Sequence, residues 1–296
     1  MRDDTQLTYH ERILRVLVHI QERLDDDLSL EELARTACFS PFHFHRVFTA
    51  LVGESVKEHV RRLRLERAAY RLRYTEDPVT RIAFDAGFQA HESFTRAFRA
   101  LFGVSPSRYR GAHRAPAPSQ VHYRPDGKLT AFEPVKRGGP AMEVRIENVP
   151  PRRVAFMRHV GPYEEVGRTW EKLAKWAASR GLVGPDTLAV GVPYDDPEVT
   201  PADKLRYDAC LTVNGPFQPE GEVGEQVVAG GECAVLRHRG PYRAIGETYH
   251  RLYGGWLPQS GREPAAAPSF VVGRITPPDT PPEDLVTDLC VPLKPE

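Results

Sequence analysis

The 296-residue chain lacks most of what would mark a catalytic, metal-binding or membrane protein. Its four cysteines, Cys38, Cys210, Cys233 and Cys290, form no CxxC pair and stand in no His/Cys cluster at zinc spacing. That excludes a disulfide framework and a zinc finger, and fits a reduced, cytoplasmic setting. There is no HExxH, no P-loop, no dinucleotide fingerprint, and no serine or cysteine in a recognisable nucleophile motif. No cofactor, no metal and no enzyme activity are therefore expected. No apolar run approaches the roughly 20 residues that span a bilayer. The polar, acidic opening MRDDTQLTYHERI reads unlike a signal peptide. An excess of one charge is missing too, with 40 basic and 40 acidic side chains, so bulk charge says nothing about nucleic acid.

What the first third does have is a repeat. SPFHFHRVFTALVG, from Ser40 to Gly53, returns fifty residues later as HESFTRAFRALFG. Phe44 pairs with Phe94, Arg46 with Arg96, Phe48 with Phe98, Leu51 with Leu101 and Gly53 with Gly103. Apolar residues at 44, 47, 48 and 51, and again at 94, 97, 98 and 101, keep the spacing of one buried helical face. Each helix follows a shorter one, LSLEELARTACF with Ser29 and Glu32 as a capping box, and PVTRIAFDAGF with Gly87 in its turn. The reading is two helix-turn-helix motifs, joined by one long helix and preceded by a helix from Tyr9 to Leu24.

This arrangement, over roughly Tyr9 to Arg110, resembles the DNA-binding domain of AraC/XylS-type transcription regulators. The resemblance implies that the second helix of each motif enters a major groove, the two grooves lying about 34 Å apart on one DNA face. Arg46 and Arg96 lie opposite the apolar stripes and are expected to contact DNA. Phe42, His45, Gln89, His91, Glu92 and Thr95 stand near the N-terminal ends of the same helices. The connecting helix carries seven basic residues against Glu58 and Glu66, and Arg61 and Arg64 are expected on phosphates. His43 and His45 are no metal pair, since i and i+2 face different ways on a helix.

Residues 111–140 are rich in Pro, Gly and Ala and read as a linker, with only VHY and LTAF able to form strands. A second repeat follows. VAFMRHVGPYEEVGRTWEKL from Val154 matches CAVLRHRGPYRAIGETYHRL from Cys233 at an offset of 79, and YDACLTV later matches TDLCVPL. Each half reads strand, Gly-Pro-Tyr turn, helix, then two strands, an α+β module present twice about a pseudo-twofold axis.

This half, about Met142 to Leu293, resembles the gyrase-inhibitor-like effector-binding domain, which implies a cleft for small organic molecules, often cationic and aromatic. Strand alternation sets Leu211, Val213, Leu289 and Val291 beneath the helices and leaves Asp208 and Asp288 on the opposite face, expected to be the cleft. Tyr163, Trp170, Tyr242, Tyr249, Tyr253 and Trp256 are expected as its aromatic walls. His159 and His238, before each Gly-Pro-Tyr, read as turn anchors rather than bases.

The sequence thus predicts a multidomain chain. An all-α bihelical domain (1–110) with a double helix-turn-helix, a linker (111–140) and an α+β domain of two pseudo-symmetric strand-helix-strand-strand modules (141–296) follow one another. The expected function is a DNA-binding regulator that senses a small cationic aromatic effector, with double-stranded DNA, the effector and RNA polymerase as partners. The alternative is a hydrolase or sequestering domain for a toxic compound, fused to a DNA reader.

Overall fold

The computed structural model describes residues 2–110, 121–126, 128–135, 142–197, 200–213, 215–274 and 280–295. The helical half contains α1 (Arg2–Glu22), α2 (Leu30–Thr36), α3 (Pro41–Val52), α4 (Val56–Tyr74), α5 (Val79–Asp85), α6 (His91–Phe102) and α7 (Pro106–Arg110). Pairs α2–α3 and α5–α6 are the two motifs, with α4 between them. Gly53 and Gly103 end α3 and α6 at φ of +88° and +74°, a conformation glycine adopts without a Cβ clash. The capping box expected at α2 is only half formed. The Ser29 hydroxyl accepts from the Glu32 N–H at 3.1 Å, but the Glu32 carboxylate turns away to Arg23 at 2.5 Å. The complete box caps α4 instead, between Ser55 and Glu58.

Each α+β module begins one strand earlier than the repeat indicates. The first contains β1 (Val144–Val149), β2 (Arg152–Val160), α8 (Val166–Ser179), β3 (Leu188–Pro193) and β4 (Arg206–Thr212). The second contains β5 (Val223–Val228), β6 (Gly231–Arg239), α9 (Ile245–His250), a π-helical turn at Arg251–Trp256, α10 (Leu257–Ser260), β7 (Phe270–Arg274) and β8 (Val286–Pro292). All eight strands form one antiparallel sheet in the order β1-β6-β8-β7-β3-β4-β2-β5. The order reads the same from both ends when equivalent strands are exchanged, which is the pseudo-twofold axis. The opening strands are swapped: β1 of the first module pairs with β6 of the second, and β5 pairs with β2.

Leu211, Leu289 and Val291 pack beneath the helices as alternation requires. Ala155, Met157, Ala209 and Leu211 lie under α8, and Ala234, Leu289 and Val291 under α9 to α10. The opposite face is also buried, by Val190, Val192, Cys210, Val235, Phe270 and Cys290.

The helical half and the α+β half follow one another as expected, and they share a buried core where they meet. One buried cluster joins Ile13, Leu17, Phe44 and Leu51 to Leu252, Tyr253, Leu257 and Val291. Each fully buried large apolar side chain contributes on the order of 2 kcal/mol, whereas an ion pair such as Arg12–Glu263 at the same boundary adds about 1 kcal/mol or less. Apolar burial therefore holds the halves together. The second motif has its own core of Leu65, Leu72, Ile82, Phe94, Phe98 and Tyr109.

Part of the linker belongs to this architecture as well. Val121 and Leu129 are buried in the shared cluster, and the Tyr123 N–H donates to Glu66 at 2.7 Å. Gln21 donates to the His122 carbonyl at 2.8 Å and accepts from the Arg124 N–H at 3.1 Å. Neither VHY nor LTAF forms a strand; the backbone of His122 and Tyr123 bonds instead to Gln21 and Glu66, and the Val135 N–H to the Leu51 carbonyl. The remainder, 111–120, 127 and 136–141, lies outside the described residues.

Candidate effector site and nucleic-acid interface

The two reading helices, alike in sequence, sit in opposite environments. Helix α6 buries Phe94, Phe98 and Phe102 and leaves Glu92 and Arg96 exposed, with His91 and Thr95 partly so and Gln89 exposed in the turn before it. Helix α3 is enclosed on both sides. Its apolar stripe faces α2 and α4, and its other face, expected to meet DNA, lies against the second half. His43, His45, Thr49 and Ala50 are all buried there, and Phe42 is half-buried. In this conformation Phe42, His45 and Arg46 are therefore not presented to a groove.

The contacts of that face are specific. The His43 ring donates from Nε2 to the Ala265 carbonyl at 2.8 Å, so Nδ1 accepts from the Tyr253 hydroxyl at 2.7 Å. Burial pushes His43 down to about 4, with the Ala265 carbonyl opposing and Arg46 assisting, so the ring is neutral at pH 7. The His45 Nδ1–H donates to Asp196 at 2.9 Å. Gly254 in the π-helical turn permits the approach: a Cβ there would lie 2.8 Å from the Ala50 Cβ and 3.1 Å from the Ala50 carbonyl oxygen.

At the centre is Arg46. Its guanidinium carbon lies 3.9 Å from the Tyr249 ring centre and 5.9 Å from that of Tyr253. The two tyrosines are stacked at 14° with centroids 6.3 Å apart. Burial works against the Arg46 charge, but Tyr249, Asp196, Tyr253 and Tyr163 outweigh it and hold the pKa above its ordinary value. This is an aromatic site with an acidic neighbour, and a cation already stands in it.

The other expected aromatics divide. Tyr163 hydrogen-bonds the Asp195 carbonyl at 2.8 Å and packs edge-on to Tyr207 at 5.7 Å, with Trp170 on the same ring at 6.4 Å. Tyr207 lies across Gly191, where a Cβ would meet its hydroxyl and Val271, so the glycine keeps the sheet open to the ring. Tyr242 is exposed with its hydroxyl near Gly273, and Trp256 packs against the shared core.

Asp208 and Asp288 lie apart from the Arg46 site. Alternation puts them on the face away from the helices, and each is already neutralised across the sheet by the arginine of the repeated Arg-His pair. Arg158 bonds Asp208 with both arms at 2.8 and 2.9 Å, and Arg237 bonds Asp288 at 2.9 and 3.1 Å. Asp208 is fully buried and also accepts from Tyr194 and Gln226. The repeated histidines anchor their turns in matching fashion. His159 Nε2 donates to the Pro162 carbonyl at 3.0 Å and Nδ1 meets Thr169, while His238 bonds Pro241 and Thr248.

The basic connecting helix is also mostly satisfied within the chain. Arg62 bonds Glu54 and Glu66, Arg67 bonds Asp25, and Arg71 bonds Asp77 and Asp85. Arg64 donates to the carbonyls of Leu24 and Asp26 and packs on the Gly87 turn, so it ties the two motifs together rather than waiting for phosphate. Arg61 is exposed over Phe88 and remains available. Sequence reasoning missed Asp196, Tyr207 and His43. For Tyr207 the available signal was Gly191, since a glycine inside a strand marks a close approach.

Among known proteins, residues 142–294 match the GyrI-like small molecule binding domain, and residues 33–112 match a helix-turn-helix domain. Regulatory protein SoxS of Salmonella typhimurium is 34% identical over 102 residues, covering 34% of this chain and 95% of that one. The uncharacterized HTH-type transcriptional regulator YbfP of Bacillus subtilis is 35% identical over 102 residues, and the chain spans only 35% of its length. The Right origin-binding protein of Escherichia coli is 34% identical over 117 residues, covering 40% of this chain and 39% of that one. An EcmrR–DNA complex aligns at a TM-score of 0.45 and 16% identity over 51% of this chain and 57% of that one. The exposed α6, the doubled motif and the twofold sheet thus meet in one assignment: the chain belongs to the AraC-type helix-turn-helix regulators and carries a GyrI-like small-molecule-binding domain.

Proposed function

We propose that this is a cytoplasmic transcription regulator that reads double-stranded DNA with its helical half, senses a small cation with its second half, and has RNA polymerase as a further partner. The observation that carries the DNA reading is α6, a helix fully anchored by Phe94, Phe98 and Phe102 whose other side offers Gln89, Glu92 and Arg96 to solvent. A helix of that form fits a major groove.

With duplexes selected from a random pool, Arg96→Ala should weaken specific binding by about 1–3 kcal/mol, the range for a bidentate base contact. Arg61→Ala should weaken all duplexes alike and flatten the salt dependence. Unchanged affinity in Arg96→Ala would remove α6 as the reader.

Binding rather than turnover is favoured for the second half. Both ring nitrogens of His159 and of His238 are engaged in holding turns. Burial pushes the Cys210 and Cys290 thiols up to about 12 and that of Cys233 up to about 11, so none is a ready nucleophile. Hydrolysis of activated esters by the full chain, abolished by His238→Ala, would restore the hydrolase reading.

A further inference from the structure

The aromatic site of the second half is filled by a residue of the first. Arg46 reaches from the DNA-facing side of α3 and lays its guanidinium on Tyr249, with Tyr253 and Asp196 beside it. The contacts that hold α3 around it are His43 on the Tyr253 hydroxyl and the Ala265 carbonyl, His45 on Asp196, and Ala50 against Gly254. The equivalent arginine of the other motif, Arg96, is exposed on a free helix. One reading helix is therefore stowed while its twin is presented.

From this we infer that the Tyr249–Tyr253–Asp196 site takes planar guanidinium or amidinium cations, that Arg46 is its resident occupant, and that an external cation of this class binds by displacing Arg46 and so frees α3. The inference rests on the proposed regulatory function and names both its ligand class and its coupling.

The chemistry follows from the occupant. A flat, weakly hydrated cation stacks on a tyrosine face, which an ammonium does less well, and a nearby carboxylate neutralises it. A chain that spends most of its time with Arg46 docked shows an external cation only the undocked fraction of its sites. The apparent affinity is lowered by that fraction, and removing the resident cation restores it. Linkage then works in both directions: a ligand that requires α3 to leave promotes DNA engagement by α3, and DNA held by α3 promotes ligand binding.

The test uses the full chain with benzamidinium as probe, by titration calorimetry. Arg46→Met, which keeps the stem but removes the charge, should bind at least about tenfold more tightly than wild type. Tyr249→Leu placed on the Arg46→Met background should abolish that binding. Equal or weaker binding by Arg46→Met, or no binding to it at all, overturns the inference. A second readout needs no variant. Saturating benzamidinium should speed hydrogen exchange at the amides of α3 and leave those of α6 unchanged. Unchanged protection of α3 in the liganded wild type overturns the displacement. Failure here with a normal Arg96→Ala effect on DNA would leave the regulator standing and remove only the coupling. Loss of the Arg96 effect with normal displacement would do the reverse.

Discussion

At the scale of residues, His43 links the docking of α3 to proton concentration. Its ring is neutral because burial excludes the charged form, and its pKa in the folded chain is about 4 against an ordinary 6.5. The unfolded or undocked chain therefore takes up the proton first. This contribution to stability is complete above pH 6.5 and declines as pH falls toward about 4. His59, buried against Glu54 and also shifted down by burial, acts in the same direction. Urea unfolding should show wild type losing about 2 kcal/mol between pH 7 and pH 5 relative to His43→Asn, from about 1.4 kcal/mol per pH unit of difference. Parallel pH profiles for the two proteins would mean the ring is not excluded from protonation. No pattern in the sequence marks this role, because a histidine on the polar side of such a helix looks like any other group offered to DNA.

Among elements, what could be read was what repeats. The two motifs, the paired Gly-Pro-Tyr turns, and the apolar sides of β4 and β8 follow from spacing alone. Strands β1 and β5 escaped notice because VRIENV and VGEQVV are sheet-edge sequences with several exposed positions and no clean alternation. The stowing of α3 was illegible for a different reason. Its apolar stripe already accounts for one buried face, and the second is made of buried His43, His45 and Thr49 around a half-buried Arg46, which no amphipathic pattern reports. The paired glycines at 254 and 255 inside a helical stretch were the signal, since they mark where another backbone comes close. Gly254→Val should push α3 away, because the obstructing atoms include the Ala50 backbone, which cannot rotate aside. The expected cost is about 1–3 kcal/mol, as for overpacking elsewhere. Hydrogen exchange should find α3 deprotected without any ligand, and native protection of α3 would show that the turn yields instead.

Taken as a whole, the molecule is divided by its cores differently from its repeats. Helices α1 to α3 share a buried cluster with the second half, while α5 to α7 and the end of α4 form another. The fragment 142–296 should therefore be less stable than the same residues in the intact chain, since Leu252, Tyr253 and Leu257 lose their cover. Calorimetry should show it melting several degrees lower, as a loss of a few kcal/mol requires for a domain of this size. An unchanged melting temperature would mean that the contacts across the boundary add nothing to the stability of the sheet.

The order of synthesis adds one more consequence. His43 and Tyr253 stand 210 residues apart, and at about 5–20 residues per second the second leaves the ribosome roughly 10–40 s after the first. For that interval the face of α3 that carries His43 has no docking partner in the newly made chain. On the coupling proposed above, a nascent chain is unrestrained by docking of α3 until translation nears its end.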